Sequence, residues 1–172
     1  MSDPRAADPF AIDTIDGLEA LYGSPRQESV RKETDHLTTE YRAWLSSSPF
    51  FAMATIGPDG IDCSPRGDVE RAVTVVDEHT LHIPDRRGNN RLDSLRNIVG
   101  DGRVGLLFLT PGIPECLRLN GTASLTADPA LRERYVLDDR SPATVIVVNI
   151  ATVFLQSTRA VKRSGLWGNG PT

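Results

Sequence analysis

Cys116-Leu117-Arg118-Leu119-Asn120-Gly121-Thr122-Ala123-Ser124-Leu125-Thr126 is the stretch that decides the fold class. Leu117, Leu119, Gly121, Ala123 and Leu125 alternate with Cys116, Arg118, Asn120, Thr122, Ser124 and Thr126. One face is therefore small or apolar and the other polar. A period of two belongs to an extended strand with one side buried. Residues 103–109 precede it as a second apolar strand, and the valine- and isoleucine-rich stretch 144–155 follows it as a third. Between the last two, Asp128-Pro129 opens a short helix to about Leu137.

Moving toward the N-terminus, residues 50–56 read as a buried strand. Pro58-Asp59-Gly60 is a turn, because proline presets φ and glycine tolerates the left-handed region. Residues 61–66 return as its partner. Residues 71–76 and 80–83 form a second hairpin turning at 77–79, and Leu92, Leu95, Ile98 and Val99 mark one face of a helix. The first 48 residues differ. Ile12, Ile15, Leu18 and Leu21 share a helical face that Gly23 and Pro25 end. Leu37, Tyr41, Trp44 and Leu45 share another over 35–46. The pattern predicts a helical extension over 1–48, packed on a mainly β (α+β) domain over 49–172. Six or seven strands that do not alternate with helices exclude a doubly wound parallel sheet and point to a small antiparallel barrel.

The chain has 172 residues, enough for a sizeable core without disulfides or metals. Its net charge of −4 gives no bulk attraction for nucleic acid or an anionic membrane, and neither is expected as a partner. The apolar stretch 143–155 is interrupted by Thr144, Asn149 and Thr152, too short and too polar for a bilayer span. Two cysteines, and no apolar run in residues 1–10, lead us to expect a reducing cytoplasm. The dinucleotide fingerprint, the P-loop and the nucleophile elbow are absent. His79 and His82 lie three apart on a predicted strand, on opposite faces, and neither cysteine has a CxxC partner, so no metal site is expected. Cys63 reads as a small strand residue rather than a reactive thiol.

Chemistry concentrates in Pro84-Asp85-Arg86-Arg87-Gly88-Asn89-Asn90-Arg91-Leu92-Asp93, between a strand end and a helix start. Asn89 or Asn90 suits the N-cap and Asp93 the first turn. Arginines at a helix N-terminus, with a glycine for close approach, are a recipe for holding phosphate. A solvated basic loop is the alternative. Cys63-Ser64-Pro65-Arg66-Gly67-Asp68 adds Ser64 and Arg66, which reach the same pocket if the two hairpins lie side by side; Arg66 could instead pair with Asp68. A third basic and aromatic patch ends in Arg163-Ser164-Gly165-Leu166-Trp167.

At these segments, together with residues 50–60, Arg103-Val104-Gly105-Leu106-Leu107-Phe108 and Leu117-Arg118-Leu119-Asn120-Gly121, the chain resembles the pyridoxamine 5′-phosphate oxidase-like, FMN-binding split-barrel superfamily. It is most similar to a bacterial subfamily of unassigned substrate. The resemblance spans about residues 34–167. It implies a six-stranded antiparallel split β-barrel with flanking helices, and a homodimer with FMN at the subunit interface. It also implies FMN redox chemistry on a small-molecule substrate, with a flavin carrier, a redox sensor or a deazaflavin-dependent reductase as alternatives. By the same resemblance, Ser64, Arg66 and residues Asp85 to Arg91 hold the phosphate, Arg163 and Trp167 lie beside the flavin, and Arg118 is a further candidate. The true oxidases carry an arginine-hydrophobic-lysine strand, a serine-arginine-lysine phosphate motif and a tail arginine-x-histidine. Here Ser64-Pro65-Arg66-Gly67-Asp68 and Asn89-Asn90-Arg91 replace the first two, and no histidine follows His82. These departures count against vitamin B6 as the substrate and leave FMN in place.

Overall fold

A computed structural model describes residues 8–23, 32–68, 72–156 and 159–168. The chain divides into two compact units, Met1–Lys32 and Glu33–Thr172. The division precedes the second predicted helix, so residues 33–48 belong with the barrel. In the first unit, α1 (Ile15–Tyr22) starts three residues later than the periodicity predicts. Thr14 sets the start, because its hydroxyl accepts the Gly17 N–H at 3.1 Å and satisfies a first-turn amide. Gly23, at φ 70°, ends the helix and donates to the Glu19 carbonyl at 2.8 Å. No residue of α1 is buried.

The second unit begins by pairing with the sheet. Thr34 and Val153 exchange backbone hydrogen bonds at 3.0 and 2.8 Å. This extended start delays α2 to Thr39–Ser46, where Thr38 caps the Tyr41 N–H at 3.2 Å. Tyr41 and Leu45, one turn apart, enter the barrel core.

Among the described residues there are seven strands: β1 (Phe50–Gly57), β2 (Gly60–Gly67), β3 (Thr74–Val75), β4 (Thr80–Pro84), β5 (Arg103–Leu109), β6 (Cys116–Thr126) and β7 (Val145–Gln156). The order is β2-β1-β5-β6-β7-β4-β3, and every pairing is antiparallel. The resemblance implied six; the seventh is the two-residue β3, whose expected start at Arg71 lies outside the described residues. The end strands β2 and β3 do not pair with each other, so the curled sheet stays split. Leu117 and Leu119 of β6 are fully buried while Arg118 and Asn120 face outward, as the alternation requires. Phe51 and Phe108, on paired strands, stack at 4.9 Å in the middle of the core, with Met53, Leu81, Ile146 and Val148 around them.

Gly121 sits where the β6–β7 register shifts. A Cβ there would run into the backbone oxygen of Asn149, which cannot swing aside as a side chain can. Only glycine lets the two longest strands approach at this bulge.

Three helices complete the unit. α3 (Asp93–Gly100) buries only part of the face expected of it: Ile98 is buried and Leu95 packs against the core, but Leu92 and Val99 are exposed and Ser94 is buried as well. Asn97 explains the phase. Its amide donates to the buried Thr55 hydroxyl at 3.0 Å and lies against Gly57, where a Cβ would collide with it. A buried hydroxyl needs a partner, and that need outweighs the exposure of one valine. α4 is shorter than expected, Pro129–Glu133, capped by Asp128 on the Ala130 N–H at 3.0 Å. After it, Leu137 and Arg140 exchange two backbone hydrogen bonds around Asp138 and Asp139, both at positive φ. α5 (Arg159–Ser164) carries the basic tail. No helix among the described residues is long and apolar enough to cross a membrane.

Gly121→Ala is expected to lower the free energy of unfolding by about 1–3 kcal/mol, the range for overpacking a tight site. Urea denaturation followed by tryptophan fluorescence measures it.

Candidate functional site

Strand alternation places Asp62, Ser64 and Arg66 on one face of β2, each less exposed than its neighbours, and Asp68 follows just past the strand end. Opposite that face runs the segment from the end of β4 to the start of α3. The two enclose a cleft of about 1330 Å³ whose third side is the stretch from Leu137 to Thr144. The turn at Asp138 and Asp139 brings Arg140 to this wall.

Two ion pairs tie the first two walls together crosswise. Arg66 Nη1 meets Asp85 Oδ1 at 2.8 Å, and Arg86 Nε meets Asp68 Oδ2 at 2.9 Å. All four side chains are mostly shielded, the aspartates 15% and 16% exposed. Arg66 therefore pairs across the cleft with Asp85, not with its strand neighbour Asp68. Arg86 also donates through Nη1 to the Tyr135 carbonyl at 2.6 Å, and the Asp85 N–H donates to the Thr144 carbonyl at 3.0 Å. Among the described residues, these contacts match the charge of each guanidinium and fix its direction while using only one of the five N–H donors of Arg66 and two of those of Arg86.

The loop start differs from expectation. The helix begins at Asp93, and the residue before it, Leu92, sits at φ 61° with no side-chain cap. Neither Asn89 nor Asn90 is the N-cap. Asn89 instead accepts the Arg91 N–H at 3.1 Å, an Asx turn that competes with helix formation, and Asn90 takes φ 61°, a conformation asparagine tolerates. Arg91 pairs with Asp93 at 2.8 Å in an exposed contact that contributes little to stability. Arg87 and Arg140 make no ion pair with another described residue.

Of the residues singled out in the sequence, Ser64, Arg66, Pro84, Asp85, Arg86, Arg87, Asn89, Asn90 and Arg91 all line the cleft. Arg118, Arg163 and Trp167 lie outside it. Arg118 lies over the Phe154 ring at 5.1 Å and donates to Gln156 at 3.3 Å, Trp167 donates its indole N–H to the Ile113 carbonyl at 2.9 Å, and Arg163 is exposed. Sequence reasoning missed Asp62, Ser94, Arg140 and Thr144. Asp62 had a signal, since it shares β2 parity with Ser64 and Arg66. Among the described lining residues, five aspartates (62, 68, 85, 93 and 138) face five arginines (66, 86, 87, 91 and 140), so these side chains are charge-balanced rather than simply basic. The Thr144 hydroxyl is fully buried at the cleft edge, with no hydrogen-bond partner among the described residues.

Elsewhere, burial pushes the Cys116 thiol up, away from nucleophilic use. Among the described residues no three His, Cys, Asp or Glu side chains gather as a metal site. His82 braces the cleft from behind: its Nδ1 meets the Tyr135 hydroxyl at 2.9 Å, and the Tyr135 carbonyl holds Arg86. Burial first, and then the Arg134 charge, lower the His82 pKa below its ordinary 6.5. Below that value the unfolded chain binds a proton that the folded chain resists. Stability is therefore expected to fall as pH drops from 6.5 toward the lowered value, and His82→Gln should remove that part of the slope. Denaturation midpoints between pH 7 and 5 and an NMR titration of the His82 ring check both points.

Residues 37–157 match the family model described as pyridoxamine 5′-phosphate oxidase. No curated protein matches the sequence. Among solved structures, the chain is similar to HupZ from Group A Streptococcus, at 17% identity and TM-score 0.58 over 70% of this chain and 94% of that one. It is also similar to a protein from Clostridium acetobutylicum related to general stress protein 26 of B. subtilis (pyridoxinephosphate oxidase family), at 15% identity and TM-score 0.54 over 69% and 86%. General Stress Protein 26 from Bacillus anthracis is a third, at 14% identity and TM-score 0.51 over 67% and 91%. At these identities the structures speak for the fold.

Proposed function

Since the chain belongs to the pyridoxamine 5′-phosphate oxidase family, which includes oxidoreductases and typically binds FMN, we propose that its cleft holds FMN and that it is an FMN-dependent oxidoreductase of a small molecule. One observation carries the reading. Among the described residues, a single cleft combines guanidinium groups with no carboxylate partner, at Arg87 and Arg140, with a buried hydroxyl at Thr144 that has no hydrogen-bond partner. A ligand with an anionic end and polar groups along its length fits both needs.

The residues divide the work by what already occupies them. Arg66 and Arg86 have their charges matched by Asp85 and Asp68 and shape the cleft. Arg87 meets the phosphate, aided by the asparagine-rich turn at Asn89 and Asn90, and Arg91 joins by leaving its exposed pair with Asp93. When bound, FMN supplies electron or hydride transfer, and the chain supplies position and electrostatics. No histidine or cysteine lines the cleft among the described residues, which suits chemistry carried by the cofactor.

We also propose a homodimer, in the cytoplasm, in which the exposed Arg163 and the tail at Trp167, both outside their own cleft, reach the flavin of a second copy. A flavin carrier or sensor would bind FMN equally well; stopped-flow reduction by NADH or NADPH, with reoxidation by oxygen, separates the two. The purified protein is expected to be yellow and to release FMN on denaturation. Arg87→Ala should weaken FMN binding by about 1.5–3 kcal/mol, the contribution of a charge-assisted hydrogen bond, while leaving riboflavin affinity unchanged. Colourless protein that FMN cannot reconstitute would refute the cofactor assignment.

A further inference from the structure

We propose that Ser64 reads a hydrogen-bond donor on the non-phosphate part of the flavin, and that Asp62 and Ser94 fix it in that role. The inference rests on the FMN reading above. Asp62 and Ser64 share the inner face of β2, Ser94 is in the first turn of α3, and all three line the cleft. The Ser64 and Ser94 hydroxyl oxygens are 3.0 Å apart, and Ser94 donates to Asp62 Oδ2 at 3.3 Å.

Proton counting gives the chain of hydroxyls a direction. A carboxylate accepts and does not donate, so the single Ser94 proton goes to Asp62. Ser94 is 3% exposed, so its oxygen has no bulk water to turn to and accepts the Ser64 proton. Ser64, partly exposed to the cleft, is left with lone pairs and no proton to give. Such an oxygen repels a phosphate oxygen, which also offers lone pairs. It suits a neutral N–H or O–H instead, on the isoalloxazine ring or the ribityl chain. Ser64 thus moves from the phosphate group that the family resemblance implied to the reading of the rest of the cofactor. Asp62 and Ser94 are positioning residues behind it.

Fluorescence titration of the full chain with FMN, riboflavin and lumiflavin, and with inorganic phosphate as competitor of FMN, tests this. Ser64→Ala should weaken FMN and riboflavin alike by about three- to tenfold, the loss of one neutral hydrogen bond, with phosphate competition unchanged. Ser64→Thr, which keeps the hydroxyl, should restore affinity. A matching loss for lumiflavin assigns the ring N–H, and an unchanged lumiflavin affinity assigns a ribityl hydroxyl. Ser94→Ala leaves Ser64 in place but frees its proton, and should reproduce the selective loss. A loss confined to FMN with weaker phosphate competition, or no loss in Ser64→Ala, would overturn the proposal; unchanged flavin affinity in Ser94→Ala would overturn the positioning role. Wild-type protein that takes up neither FMN nor riboflavin is a separate outcome, which removes the FMN reading itself.

Discussion

The crossed pairs Arg66–Asp85 and Arg86–Asp68 are the constraint on which the site depends. β2 is an end strand of a split sheet, and the segment after β4 has no regular structure until α3. Nothing in the strand ladder joins those two walls. The two ion pairs do, and their shielding makes them matter more than surface pairs would. A shielded charge that loses its partner is costly, so each arginine and aspartate holds the other in place. The Tyr135 carbonyl, itself positioned through the His82 contact, adds a third point of attachment for Arg86.

The same pairing changes what an arginine-rich loop means. Read as residues alone, 84–93 is a basic cradle. In three dimensions it is half of a balanced set, and carboxylates already occupy its most buried guanidinium groups. The capacity for an anion rests with the arginines left over, at Arg87 and Arg140, and with Arg91, whose pair at the rim is weak. Specificity can then come from the neutral groups between the charges, the hydroxyls of Ser64 and Thr144, because a buried hydroxyl left unmatched penalises the wrong ligand.

Much of the barrel was legible because strand parity is a strong local signal. β6 reads out of its sequence almost residue by residue, and Pro58-Asp59-Gly60 marks the β1–β2 turn. Parity also put Ser64 and Arg66 on the cleft face, and would have given Asp62 had the argument been carried two residues back. Helix phase was less legible. Val99 looks like a core residue, but with Asn97 paired to Thr55, forty-two residues away, α3 keeps Leu95 and Ile98 packed and leaves Val99 in solvent. The partners of the arginines were not legible either, since Arg66 on β2 meets Asp85 at the end of β4 only after β1, β5, β6 and β7 have been placed between those strands. Arg140 reaches the cleft through a turn with two aspartates at positive φ, a conformation that asparagine and glycine advertise more clearly.

A crystal structure of the protein grown with FMN tests the central claim most directly. The account predicts the phosphate beside Arg87 and the Asn89–Asn90 turn, with both crossed ion pairs intact. Flavin bound away from this cleft, or a phosphate that breaks the Arg66–Asp85 pair to reach Arg66, would contradict it.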